Sequence, residues 1–236
     1  MFISLLNENL IVAWKQILFK YLCFKLTKSS RIYELCGSLK TTPTMDNRLI
    51  NYFLNITNLT ADEINVLTES MITKNFTKGS FLQKEGQMSN NTYFILQGCV
   101  RQFKIVDGND LTLNFFTEEQ WIISLENFET KSPLDNSLVC VEDTTVVIGN
   151  EQKADEIFKQ FPRLEKVSRQ IVESVFAKQQ IFLTSYITDK SEERYLKLLK
   201  SRPDIFQRVP QYDIATYIGV KPESLSRIRK KIQSKS

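Results

Sequence analysis

The chain has 236 residues, room for one large domain or two small ones, and its 42% hydrophobic and 25% charged content is that of a soluble globular protein. Thirty-one Lys and Arg against 27 Asp and Glu leave a formal net charge of +4. There is no histidine, which excludes His-based triads, imidazole acid–base chemistry and His-ligated zinc or haem. Cysteines stand at 23, 36, 99 and 140 with no C-x-x-C pair, so no zinc ribbon or ferredoxin-type cluster is written locally. Cysteine this sparse reads as reduced thiols in a cytoplasmic protein.

Residues 1–44 form an atypical N-terminal extension. It begins MFISLLNENLIVAWKQILFKYLCFKL, where Glu8, Lys15, Lys20 and Lys25 break the apolar text. No uncharged run approaches the roughly 18–20 residues of a membrane span, and the order of charge and apolar core is not that of a signal peptide. Ile3, Leu6, Leu10, Ile17, Tyr21 and Phe24 fit a helical stripe, so an interfacial helix is one reading. The change to acidic text at Thr44-Met45-Asp46 favours the other, a dispensable extension upstream of a start at Met45.

From Met45 the text is helical, with Leu49, Tyr52, Phe53 and Ile56 at steps of three and four, and Thr60 with Glu63 supplies a capping box for a second helix. After Met71 the period shifts towards two. Short β-branched and aromatic runs alternate with turns at Lys78-Gly79, Glu85-Gly86, Gln97-Gly98 and Asp107-Gly108. The Asp-Gly between VRQFKIV and LTLNFF predicts a tight hairpin. These strands predict a small antiparallel barrel or sandwich with flanking helices over residues 45–161.

Helical periodicity returns near Lys153, and Pro162 opens a long helix over 162–188. Leu164, Val167, Ile171 and Val175 make a narrow seam of coiled-coil type, read as a dimer contact rather than as a helix lying on its own barrel. Residues 189–236 then hold an amphipathic helix followed by PQYDIATYIG and KPESLSRIRKKI, two short helices about Gly219. Small Ala215 lets them cross closely, a helix-turn-helix signature.

Positive charge collects at the end. Residues 221–236 carry six cations and one acid, a net of +5, which leaves the rest of the chain at about −1. Leu225 and Ile228 anchor the last helix, and Glu223, Ser224, Ser226 and Arg227 occupy its first turns. Arginine can fork onto guanine and glutamate can accept from a cytosine amino group, so these four are the candidate base readers of double-stranded DNA. Lys221, Arg229, Lys230 and Lys231 are candidate phosphate contacts.

The segments GSFLQKEGQ, YFILQGCVR, DGNDLTLNFFTEEQWI and SEERYLKLLKSRPDIFQRVPQYDIATYIGVKPESLSRIRKKI stand in an order that resembles the Crp/Fnr family in its Bacteroidetes form, from about Met45 to Ile232. The resemblance implies an α+β chain: an N-terminal antiparallel β-roll sensor, a long dimerisation helix and a C-terminal helix-turn-helix domain. It also implies a homodimer acting in transcription on a near-palindromic operator, with RNA polymerase as a partner. Glu223, Ser226 and Arg227 fall on the E-x-x-S-R pattern of the Fnr branch, implying a TTGA half-site. Pro222 stands where cyclic-AMP-receptor-like members carry a further arginine.

Two departures follow. Cyclic-nucleotide binders of the family carry a Gly-Glu pair and a phosphate-pairing arginine, and WIISLENFETKSPLDNSLVC has neither. Trp121, Ser124, Glu126, Lys131 and Ser132 are the polar and aromatic candidates for an effector pocket there, with an unidentified small molecule rather than a cyclic nucleotide as effector. No cofactor is expected, because the N-terminal cysteine cluster and the histidine used by oxygen- and haem-sensing relatives are missing. With no histidine and no carboxylate or cysteine constellation, the chain does not read as an enzyme. The competing reading is a ligand-sensing β-roll whose basic tail binds no specific sequence.

Overall fold

Leu49, Ile50 and Phe53 share one face of helix α1 (Arg48–Ile56), and that face is buried against the strands that follow. The computed structural model describes residues 48–123 and 133–234, all within a unit that runs from Met45 to Ser236. The extension over 1–44 lies outside the described residues. Helix α2 (Ala61–Ser70) begins with the expected capping box: the Glu63 amide donates to Thr60 Oγ1 at 3.3 Å, and the Thr60 amide to Glu63 Oε2 at 2.8 Å. Arg163 Nε donates to the same buried carboxylate at 3.0 Å from a hundred residues away. Those arginine bonds hold the Glu63 carboxyl down at about 2, against the opposing effect of burial.

The strands form two four-stranded antiparallel sheets. One is ordered β1 (Ile72–Phe76), β8 (Thr144–Asn150), β3 (Asn91–Gln97), β6 (Trp121–Ile122). The other is ordered β2 (Phe81–Gln83), β7 (Ser137–Cys140), β4 (Val100–Val106), β5 (Asn109–Phe116). Asp107 and Gly108 both take positive φ, 51° and 76°, the left-handed pair that a two-residue turn between β4 and β5 requires. Between the sheets Tyr93, Ile95, Val100, Phe116, Ile122, Leu138, Cys140 and Val146 form the roll's interior. The fold is therefore the α+β arrangement expected.

Helix α3 (Glu151–Gln160) leads into the 27-residue helix α4 (Pro162–Thr188), where proline sits in the first turn. The seam expected to join two copies is already closed within the chain. Leu164, Val167 and Ile171 are only 3–5% exposed among Leu49, Phe53, Phe94 and Leu96, and Val175 packs partly buried on the same cluster. The apolar spacing was right, but the surface it covers is the chain's own sheet and α1. Further along α4, Leu183 is 45% exposed and Ile187 is 70% exposed. At about 100° per residue their common face is turned roughly 140° from the buried one.

Trp121, a candidate for the effector pocket, belongs to an aromatic cluster. Its ring meets Phe94, Phe53 and Tyr52 at tilted to edge-on angles, with centroid distances of 5.1, 6.3 and 6.4 Å, on the helix-covered side of the sheet. A two-residue edge strand beside α1 explains this, because the large ring fills the gap between sheet and helix. Ser124, Glu126, Lys131 and Ser132 lie outside the described residues. Among those described, no helix is long and apolar enough to cross a membrane.

Helices α5 (Ser191–Ser201), α6 (Ile205–Arg208), α7 (Gln211–Tyr217) and α8 (Pro222–Gln233) complete the chain. Tyr195, Leu198, Ile205, Val209, Ile214, Ala215, Ile218 and Leu225 form their core, joined by Cys99 and Phe115 from the roll. Burial pushes the Cys99 thiol up to about 12, so it packs there as an inert apolar group.

Candidate nucleic-acid interface

Helix α7 ends because Gly219 turns left-handed, with φ of +71°. The Gly219 amide donates to the Thr216 carbonyl at 3.0 Å, and the Val220 amide to that of Ala215 at 2.9 Å. This paired closure satisfies the helix's last carbonyls and swings the chain into α8. Ala215, fully buried, lets the two helices cross, and Leu225 is the knob that seats α8 on the core.

With Leu225 inward, the opposite side of α8 is decided by helical spacing. Glu223, Ser226, Arg227, Lys230 and Lys231 recur at steps of three and four and are all exposed. Three predicted base readers thus share one solvent face with two predicted phosphate contacts. Ser224 stands on the flank, half-buried. Lys221 is exposed at the residue preceding the helix. Arg229 is turned aside, with Nη1 donating to Gln211 Oε1 at 2.6 Å, and Lys231 is ion-paired with Glu192 of α5. The Ser226 hydroxyl donates back to the Pro222 carbonyl at 3.2 Å.

Two sets of contacts hold this helical head, and neither was legible in the sequence. On the roll side, Arg101 Nε donates to Thr112 Oγ1, and its other nitrogens meet Asp110 at 2.8 Å and Asp213 of α7 at 3.1 Å. Burial pushes the Asp213 carboxyl up, the Arg101 charge draws it down, and the neighbouring Asp110 adds to the rise. Arg202 donates to the Phe115 carbonyl at 2.7 Å and to Thr117 Oγ1 at 3.0 Å. Arg208 forks onto Glu118 with two 2.9 Å bonds and also bonds Glu142. Burial raises the Glu118 carboxyl, but the Arg208 bonds and the Gly98 amide outweigh it and hold the group at about 2. On the helix side, Phe182 of α4 stacks on Tyr217 at 4.9 Å and 12°. Arg194 of α5 donates to the carbonyls of Ile218, Asp189 and Tyr186.

Residues 73–161 match the sequence profile of the cyclic nucleotide-binding domain family. The whole arrangement, roll, long helix and helical head, recurs in solved structures. A Crp/Fnr-family putative transcriptional regulator from Eubacterium rectale superposes with a TM-score of 0.60 at 17% identity, covering 78% of this chain and 88% of the other. The chain has the Crp/Fnr fold. The c-di-GMP-responsive global regulator CLP of Xanthomonas campestris gives 0.60 at 16% identity over 75% of this chain and 93% of its own. FixK2 of Bradyrhizobium japonicum gives 0.58 at 14%, over 70% and 85%. No curated protein sequence matches.

Within the Crp/Fnr fold the single arginine of residues 73–161 is Arg101, and it is 7% exposed and engaged with Asp110, Thr112 and Asp213. A phosphate-pairing arginine for a cyclic nucleotide would have to come from another part of the chain.

Proposed function

We propose that the chain is a transcription regulator of the Crp/Fnr type that binds double-stranded DNA as a homodimer in the cytoplasm. The observation that carries this reading is the exposed face of α8, where Glu223, Ser226 and Arg227 stand beside Lys230 and Lys231. Arg227 is assigned to a guanine and Glu223, one turn earlier, to a cytosine amino group. Lys221 and Lys230 are assigned to phosphates, and Arg229 and Lys231 reach them on exchanging Gln211 and Glu192 for the DNA backbone.

The dimer seam in this reading is the second half of α4, with Leu183 and Ile187 one turn apart on an uncovered face. The roll works without a cyclic nucleotide, since its one arginine is spent on the head; an effector, if recruited, is of another chemistry. Calorimetry with cyclic AMP, cyclic GMP and c-di-GMP is expected to give no saturable heat. RNA polymerase follows as a partner from the same reading.

The experiment is selection of bound duplexes from random DNA with the purified protein. A near-palindrome containing TTGA half-sites is expected. Binding that shows no sequence preference and vanishes with modest salt would favour the alternative, a sensing roll with an unspecific basic tail.

A further inference from the structure

Hydrogen bonds from one side chain, Arg194, tie the recognition turn to the end of the long helix. Arg194 Nε donates to the Ile218 carbonyl at 2.8 Å, and Nη1 donates to the carbonyls of Asp189 at 2.6 Å and Tyr186 at 3.1 Å. Its guanidinium lies over the Tyr186 ring, 4.9 Å from the centroid. That ring in turn fills the space in front of Gly219. A Cβ placed at Gly219 would come within 2.3 Å of the Tyr186 hydroxyl and 2.9 Å of its ring. Ile218 and Gly219 are the turn that aims α8; Tyr186 and Asp189 close α4.

We propose that Arg194, backed by Tyr186, is a positioning residue that sets the angle between the long helix and the recognition helix, and so the half-site spacing that the dimer accepts. The inference rests on the DNA-binding reading above. Its logic is geometric. Two heads related by the symmetry of paired α4 helices meet DNA at a separation fixed by the α4-to-α8 angle. Changing the spacer by one base pair moves the second half-site by about 3.4 Å and turns it by about 34°. A head fixed through three carbonyl bonds in a planar fork cannot follow such a step; a head on a looser joint can. Lysine at 194 would keep the charge but not the fork.

A simpler role is also open to Arg194, that of capping the end of α4. Capping alone predicts lower thermal stability with unchanged spacer preference. The two roles separate by measuring affinity for operators whose selected half-sites are held constant and whose spacer is lengthened or shortened by one base pair. Wild-type protein is expected to prefer one spacer by at least about tenfold, the size of one mismatched base pair. Arg194→Lys and Arg194→Gln are expected to reduce that ratio severalfold while half-site sequence preference stays intact. Tyr186→Leu, which leaves the three carbonyl bonds in place, is expected to reduce it less and provides a folded comparison should an arginine variant unfold. If folded arginine and tyrosine variants keep the wild-type spacer ratio, the positioning role is wrong. If the wild type binds no preferred sequence, it is the DNA-binding reading that fails.

Discussion

The two halves of α4 are one helix with two fates. Residues Leu164, Val167 and Ile171 vanish into the chain's own core, while Leu183 and Ile187 stay uncovered on a face turned away from it. The first half is held by its own sheet and α1. Beyond Ile171 the helix continues to Thr188, and there Leu183 and Ile187 are uncovered by the described residues over much of their surface. In the proposed function this exposed leucine and isoleucine face is the one that meets a second copy.

That contrast can be broken most sharply at its exposed end. The double variant Leu183→Glu, Ile187→Glu is expected to convert the dimer to a folded monomer in analytical ultracentrifugation, with far-UV circular dichroism unchanged. A persistent dimer would return the seam to another surface. At the buried end the expected result is the reverse. Leu164→Ala should lose about 2–5 kcal/mol in chemical denaturation, the usual cost of a leucine-to-alanine cavity. The mass of the folded fraction should not change. A monomer from Leu164→Ala without loss of stability would mean that the first half, not the second, joins two copies.

A smaller effect tests how the first half is secured. Glu63 is held at about 2 by Arg163 of α4, well below its ordinary carboxylate value. A depressed carboxyl stabilises the fold above its ordinary range, and that contribution is lost as pH falls from about 4.5 towards 2. Stability of the wild type is therefore expected to decline across this interval more steeply than that of Glu63→Gln. Parallel curves would show that the ion pair contributes nothing beyond packing.

What the sequence made legible was local. The Thr60–Glu63 box and the Asp107-Gly108 hairpin are both written within a few residues and both appear in the structure. Which side of α8 stays exposed was also legible, because helical spacing around Leu225 decides which side chains remain outside. What was hidden was long-range. The heptad of α4 signals a covered stripe but cannot say whether the cover is a second copy or the chain's own α1. Glu63 reads as a cap, and nothing near it announces an arginine a hundred residues on. The head-to-roll bonds of Arg101, Arg202 and Arg208 and the fork of Arg194 likewise join residues with no shared period. Arginine is ordinarily exposed, so its burial leaves no mark in a hydrophobic pattern. Which side of the sheet Trp121 takes was likewise hidden: a ring in a two-residue strand carries no alternation to show it.

In the proposed function one face of α8 reads DNA, with base and phosphate contacts separable within a single helix. The most direct test compares Arg227→Ala and Lys230→Ala with wild type on the selected operator and on its single-substituted duplexes, across a salt series. Arg227→Ala is expected to cost about 1–3 kcal/mol on the operator and to flatten discrimination at one base pair. Lys230→Ala is expected to weaken every duplex alike and to lower the salt slope by about one. If Arg227→Ala weakens all duplexes equally and leaves discrimination intact, Arg227 is a phosphate contact and the assigned reading face is wrong.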